Sequence, residues 1–282
     1  MDLSTDVLMI SYNRPDALGR SLPRLLDTCD EHTRVWLWQN GSHPETLELA
    51  RAYAADPRVA RFHHSEENLR LTAPTNWLWE NSRARFVGKV DDDFLVEPGW
   101  VQALRTMVDD WDGFGALGCW PFPAEDFVPE LGEPRIGTFP GGHRVVCNHW
   151  VGGHGYLVRR EHLARVGPVR DDLSFTAWCV RLARTGLVNG YPYPLVLMDN
   201  MDDPRSVHTL RRSEADLVGA MPLSAIRNGV KTFDEFAARA EREARVVLES
   251  SLDLRQYGGW RFLKSRLTRR ARNLVTGRRD LW

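Results

Sequence analysis

Cysteine is scarce in this chain, and what there is lies scattered. Cys29, Cys119, Cys147 and Cys179 form no CxxC pair, which argues against a zinc site or a disulfide framework and suits a reducing compartment. No apolar run approaches the ~20 residues that cross a bilayer. The start, MDLSTDV, has neither a basic stretch nor a long apolar one, so no signal peptide is expected and a cytoplasmic location is. Strong net charge is also missing: 37 Lys and Arg against 38 Asp and Glu give −1. That balance, with no aromatic-basic recognition motif, argues against nucleic acid as a partner.

The charge is uneven, however. Residues 253–282 hold nine Lys and Arg against Asp253 and Asp280, a net of +7, which leaves −8 on residues 1–252. In the tail, Trp260, Leu263, Leu267, Ala271 and Leu274 form an apolar stripe among the bases. Such a helix fits an anionic membrane surface, or it docks on the chain's own acidic body.

Composition is otherwise that of a globular protein, with 43% hydrophobic and 27% charged residues. The first hundred residues alternate short apolar runs with helical patterns. Strands are expected at 6–11, 34–38, 59–63 and 85–90, and helices after the YNRPDA loop, around 44–55, at 75–83 and from Pro98. Pro23 falls inside the first helical pattern and is expected to kink it or restart it. Repeated strand–helix units imply an α/β fold, a Rossmann-like and mostly parallel central sheet flanked by helices.

Three polar segments follow strands: Tyr12-Asn13-Arg14, Gln39-Asn40-Gly41-Ser42 and Asp91-Asp92-Asp93. Ligands of open α/β sheets bind beyond the carboxyl ends of the strands. On extended backbone Asp91 and Asp93 point the same way, a pair of hard oxygen ligands suited to Mg²⁺ or Mn²⁺. A solvated acidic turn is the plainer alternative.

The stretches DVLMISYNRPDAL, WLWQNGS and NLRLTAPTNWLWENSRARFVGKVDDDFLVEPGW resemble, in order and spacing, the family-2-like glycosyltransferases of GT-A fold. The likeness is good over about residues 5–105 and patchier to about 210. It implies metal-dependent transfer of a sugar from a nucleoside-diphosphate sugar, with UDP favoured, to an acceptor hydroxyl, with inversion expected. Tyr12, Asn13, Arg14, Asn40, Asn68, Asn76, Asp91 and Asp92 would contact the nucleotide. Asp91, Asp93 and a late histidine, His208, would hold Mn²⁺ or Mg²⁺. Trp150, Gly152, Gly153 and His154 would line the sugar. The family's general base belongs at the start of the 174–186 helix, where this chain has Ser174 and Phe175; Asp171 and Asp172, just upstream, are the candidates instead, with helix capping as their plainer role, and the departure leaves a retaining mechanism open. The 202–205 segment is expected to form a lid over the diphosphate. The acceptor is open: a carbohydrate, a lipid-linked molecule or a small molecule.

Two domains are expected, a transferase domain over 1–215 (donor half 1–110, acceptor half 111–215) and a helical extension over 216–282. A nucleotidyltransferase is the rival enzyme, although YNRPDA lacks the glycines that hold a triphosphate. A non-catalytic sugar-nucleotide or glycan-binding protein of the same fold is the rival from another class.

Overall fold

The computed structural model describes residues 4–218, 225 and 229–258; the tail beyond 258, with its basic stripe, lies outside them. The strands are β1 (Thr5–Tyr12), β2 (Thr33–Asn40), β3 (Val59–Ser65), β4 (Phe86–Asp91), β5 (Phe94–Val96), β6 (Phe114–Gly118), β7 (Ile136–Thr138), β8 (Arg144–Asn148), β9 (Gly155–Arg159), β10 (Val188–Pro192) and β11 (Met198–Asn200). The α-helices are α1 (Pro15–Thr28), α2 (Pro44–Tyr53), α3 (Thr72–Asn81), α4 (Trp100–Asp110), α5 (Pro129–Gly132), α6 (Leu163–Val166), α7 (Phe175–Ala183), α8 (Glu214–Val218) and α9 (Phe233–Leu248).

Nine strands form one sheet in the order β3-β2-β1-β4-β9-β6-β10-β8-β7, and β5 pairs with β11 in a separate ribbon. The strands β3, β2, β1 and β4 are parallel, as the strand–helix alternation requires. The other half is mixed: β9 runs antiparallel to both β4 and β6, and β8 is antiparallel to β10 and β7. The Pro- and Gly-rich stretch of 120–149 supplies the β7–β8 hairpin, which closes that side.

Alternation along the inner strands builds a core on each face. Val7, Met9, Val35 and Leu37 join the layer of α1, α2 and α4. Leu8, Ile10, Trp36 and Trp38 join the layer of α3 and α7. That second layer also takes Ala244, Val247 and Leu248 from α9, so the C-terminal helix shares the body's core.

Pro23 does not end α1, which runs unbroken from Pro15 to Thr28. Leu18, Leu22, Leu25 and Leu26 are all buried against the sheet. At about 1.5–3 kcal/mol for each buried side chain, they outweigh the roughly 3 kcal/mol that an interior proline costs. The helix expected from Pro98 begins at Trp100, because Gly99 caps it in the left-handed region at φ 80°. Underneath, Asp6 is fully buried and is held by Arg34 at 2.9 and 3.2 Å and by the Ser82 hydroxyl at 2.6 Å.

Candidate active site

The register of β1, β2 and β4 brings the three polar segments to one sheet edge. Tyr12 lies opposite Asn40, and Ile10 opposite Asp91. The triplet itself does not continue the strand. Asp92 and Asp93 form a turn between β4 and β5, so strand alternation does not govern them and Asp91 and Asp93 take different partners.

Asp91 shares the side of β4 that carries Lys89. Its Oδ1 pairs with the buried Lys89 ammonium, and its Oδ2 faces His154 Nδ1 at 3.8 Å. Burial alone would push this carboxyl up, but Lys89 and His154 outweigh that and hold it below the usual carboxylate range.

Asp93 has other partners. Its Oδ2 accepts from Arg14 at 3.2 Å, and the same guanidinium donates to Asp202 Oδ1 at 2.6 Å. Arg211 adds a second cation 3.0 Å from Asp202 Oδ1. Asp202 comes from the loop after β11, and the Met201 amide donates to the Asp93 carbonyl at 2.8 Å. Three carboxylate oxygens stay buried without a partner: Asp92 Oδ2, Asp93 Oδ1 and Asp202 Oδ2. Burial pushes the Asp92 carboxyl up to about 6 against the pull of Arg14. Burial, then Asp202, raises Asp93 well above its ordinary value. These carboxyls lack enough positive charge around them to ionise together.

The other expected site residues divide between ligand-facing and scaffold positions. Tyr12 ends β1 and is 44% exposed. Asn13 sits in the left-handed region at φ 51° and accepts from the His43 amide at 3.2 Å. Asn40 is buried and holds its neighbours. Its Oδ1 accepts from Trp38 Nε1 and the Leu69 amide, and its Nδ2 donates to the Arg70 carbonyl. With these bonds Asn40 shapes the 68–71 loop. Asn68 accepts from the Arg70 amide at 2.9 Å, which turns that loop while Arg70 sits at φ 58°. Asn76 also has a structural tie. Both ends of its amide are bonded to the Val169 backbone at 2.9 and 3.0 Å, so it ties α3 to the segment before α7.

Trp150 packs against the second core layer. Gly152 leads into the Gly153–His154 turn before β9; a side chain on Gly152 would strike the His154 ring, and Gly153 passes close to Phe175 at the start of α7. His154 lies against Phe94, ring centroids 4.8 Å apart. Asp171 and Asp172 are exposed on the turn before α7. Ser174, not either acid, caps that helix, accepting from the Ala177 amide. Arg170 takes both Asp172 oxygens at 2.8–2.9 Å, which lowers that carboxyl's pKa. His208 is joined to Asp199 at 2.7 Å rather than to the triplet. Among the described residues no three His, Cys, Asp or Glu side chains are grouped as a ready metal-ligand set. The lid expected over 202–205 is pinned: Arg205 binds Asp126 at 2.8–2.9 Å and Asp203 at 2.7 Å.

Residues 6–144 match the family model described as Glycosyl transferase family 2. The chain is a family-2-like glycosyltransferase of GT-A fold. A similar solved structure is the mannosyltransferase PcManGT from Pyrobaculum calidifontis in complex with GDP-Man and Mn²⁺, at 17% identity and TM-score 0.59, covering 97% of this chain and 87% of that one. Another is S. aureus TarS 1-349, at 12% identity and TM-score 0.55, covering 90% and 77%. At such identities these likenesses speak to the fold. Within this transferase, sequence reading missed three participants: Lys89 as partner of Asp91, Asp202 as neighbour of Asp93, and Arg14 as the bridge. The available signal was Met198-Asp-Asn-Met-Asp202, acids that follow a strand just as the triplet does.

Proposed function

We propose that this transferase moves a sugar from a nucleoside-diphosphate sugar to an acceptor hydroxyl with a divalent cation bound at Asp93 and Asp202. The observation that carries the reading is the set of buried, partnerless oxygens on Asp92, Asp93 and Asp202 at the sheet edge. Hard oxygen ligands of this kind suit Mg²⁺ and Mn²⁺ alike. When bound, the cation neutralises the diphosphate as it leaves. PcManGT, a protein of the same fold, is described with Mn²⁺ and a nucleotide sugar bound.

The chain's own residues do the rest. The exposed Tyr12 ring offers a stacking face for the base, and Asn40 and Asn68 hold the neighbouring 68–71 loop in shape. Arg14, which pairs with Asp93 and Asp202, would supply positive charge to the diphosphate. Gly152 and Gly153 let the backbone come close to the sugar. UDP is the expected nucleotide and GDP the competitor to be tested.

A screen of UDP-, GDP-, dTDP- and CDP-sugars by thermal shift, with and without Mn²⁺, tests the reading. A cation-dependent rise in Tm for one nucleotide class is expected, because a ligand that binds only the folded state stabilises it. A flat response to every donor removes the reading.

A further inference from the structure

A groove of about 580 Å³ runs between α4, the start of β8 and the end of β10, and the donor site does not use it. Its size is that of a small-molecule site. Met107, Pro194 and the Tyr193 ring give it apolar wall, and α4 brings the exposed Gln102 and Thr106 to it. Among the described residues no carboxylate lines it; its basic side chains are His143 and Arg144. The Asp110 carboxylate, just outside, meets His143 Nε2 at 2.8 Å.

Arg144 is exposed, and its side chain has no ion pair or hydrogen bond among the described residues. Its guanidinium carbon lies 4.7 Å from the centroid of the Tyr193 ring. Stacking holds the planar fork in place and leaves its N–H donors free for a carboxylate or a phosphate. Residues 1–252 carry −8, so the body as a whole repels anions. A groove with cations and no acid reverses that sign locally.

The groove also has a fixed place relative to the donor site. Gly99 and Val196, two of its walls, lie just past the end of the β5–β11 ribbon where Val96 pairs with Met198. Asp93 and Asp202 lie past the other end, where Phe94 pairs with Asn200. Three extended steps separate Asp93 from Val96, about 10 Å. An acceptor that reacts beside Asp93 and reaches the groove is therefore longer than one sugar unit.

We propose that this groove binds the flanking part of an acidic glycan acceptor, an oligosaccharide bearing carboxylate or phosphate groups, with Arg144 as the specificity-determining contact. This rests on the transferase reading above. Sugar C–H faces pack on the apolar wall, hydroxyls bond to Gln102 and Thr106, and the acidic group takes the Arg144 fork. The chain's own tail, +7 over residues 253–282, has the wrong sign to fill it.

Saturation-transfer NMR titrations with the full chain, without donor or Mn²⁺, read the groove separately from transfer. The probes are a hyaluronan tetrasaccharide, pentamannose 6-phosphate and the neutral maltotetraose. At least one acidic probe should bind and maltotetraose should not; the acidic probe that binds tells carboxylate from phosphate. Arg144→Glu, and Thr106→Trp, which fills the groove from an exposed helix position, should each weaken that binding about tenfold or more. Arg144→Lys, which keeps the charge and loses the fork, should fall between. Binding of neither acidic probe, equal binding of maltotetraose, or wild-type affinity in Arg144→Glu and Thr106→Trp overturns the proposal. Nucleotide-sugar binding without acidic-glycan binding overturns this proposal alone. Acidic-glycan binding by a chain that takes no nucleotide sugar ends the transferase reading, and the acceptor role with it.

Discussion

Arg14 and Asp202 stand 188 positions apart in sequence and meet at 2.6 Å. That bond joins the loop after the first strand to the loop after the last one, with Asp93 between them. It gives Arg14 a direct energetic role in the protein without a bound cation. Arg14→Ala should cost about 3 kcal/mol, because it strands buried carboxylates. Urea unfolding should show Mn²⁺ recovering more stability in this variant than in wild type, since the ion takes over the charge the guanidinium supplied.

Asp93→Ala should abolish Mn²⁺-dependent donor binding, and Asp202→Asn should weaken it by at least the roughly 10–100-fold that follows loss of an outer-shell partner. Calorimetric titration of Mn²⁺ with the matching nucleoside diphosphate measures both. Asp91→Asn should act differently: its first effect is to leave Lys89 buried without its partner, so stability should fall before affinity does. Unchanged Mn²⁺ affinity in Asp93→Ala would remove the cation assignment.

The buried pair under the sheet is asymmetric. Arg34→Met leaves the Asp6 carboxylate fully buried with only Ser82 to hold it, and should cost about 3–5 kcal/mol. Asp6→Asn keeps the shape and the Ser82 contact, and Arg34, a third exposed, turns to solvent. It should cost less than half as much in equilibrium unfolding.

Acid stability has a named contributor. Arg105 and Thr33 bond the Asp30 carboxylate and hold it down to about 2. A carboxyl depressed in the folded state adds stability above its unfolded pKa near 3.9 and loses it as pH falls through the folded value. Asp30→Asn should therefore cost about 2 kcal/mol at pH 7, and the gap from wild type should close between about pH 4 and pH 2. Urea titrations at those pH values, in low salt, check the sign.

How much of this was legible in the sequence depends on range. Strand alternation is a local property, so β1 to β4, their parallel order and the meeting of three loops could all be read from residues 5–93. The antiparallel β9 could not be, because its pairing is set by β4 and β6 across long separations. The site divides the same way. The triplet was visible as a cluster, but its turn was not, nor was the division of partners, Lys89 and His154 for Asp91 and Arg14 for Asp93. Asn40 and Asn76 carry the right chemistry for a nucleotide, but only the fold shows that the Leu69, Arg70 and Val169 backbones have already claimed them. His208 stands out in the sequence as a lone late histidine; its bond to Asp199, nine residues before it, is visible only in the fold.

The single reversed strand in the middle of the sheet acts as a spacer of fixed width. Since β9 opposes both of its neighbours, β4 and β6 point the same way and open onto one edge. Neighbouring strands lie about 4.8 Å apart, so their ends stand about 10 Å from each other. The Gly153–His154 turn enters β9 inside that gap. The distance between the Asp91–Asp93 segment and the segment that follows β6 is thereby set by backbone hydrogen bonds, and side-chain changes at either end leave it untouched.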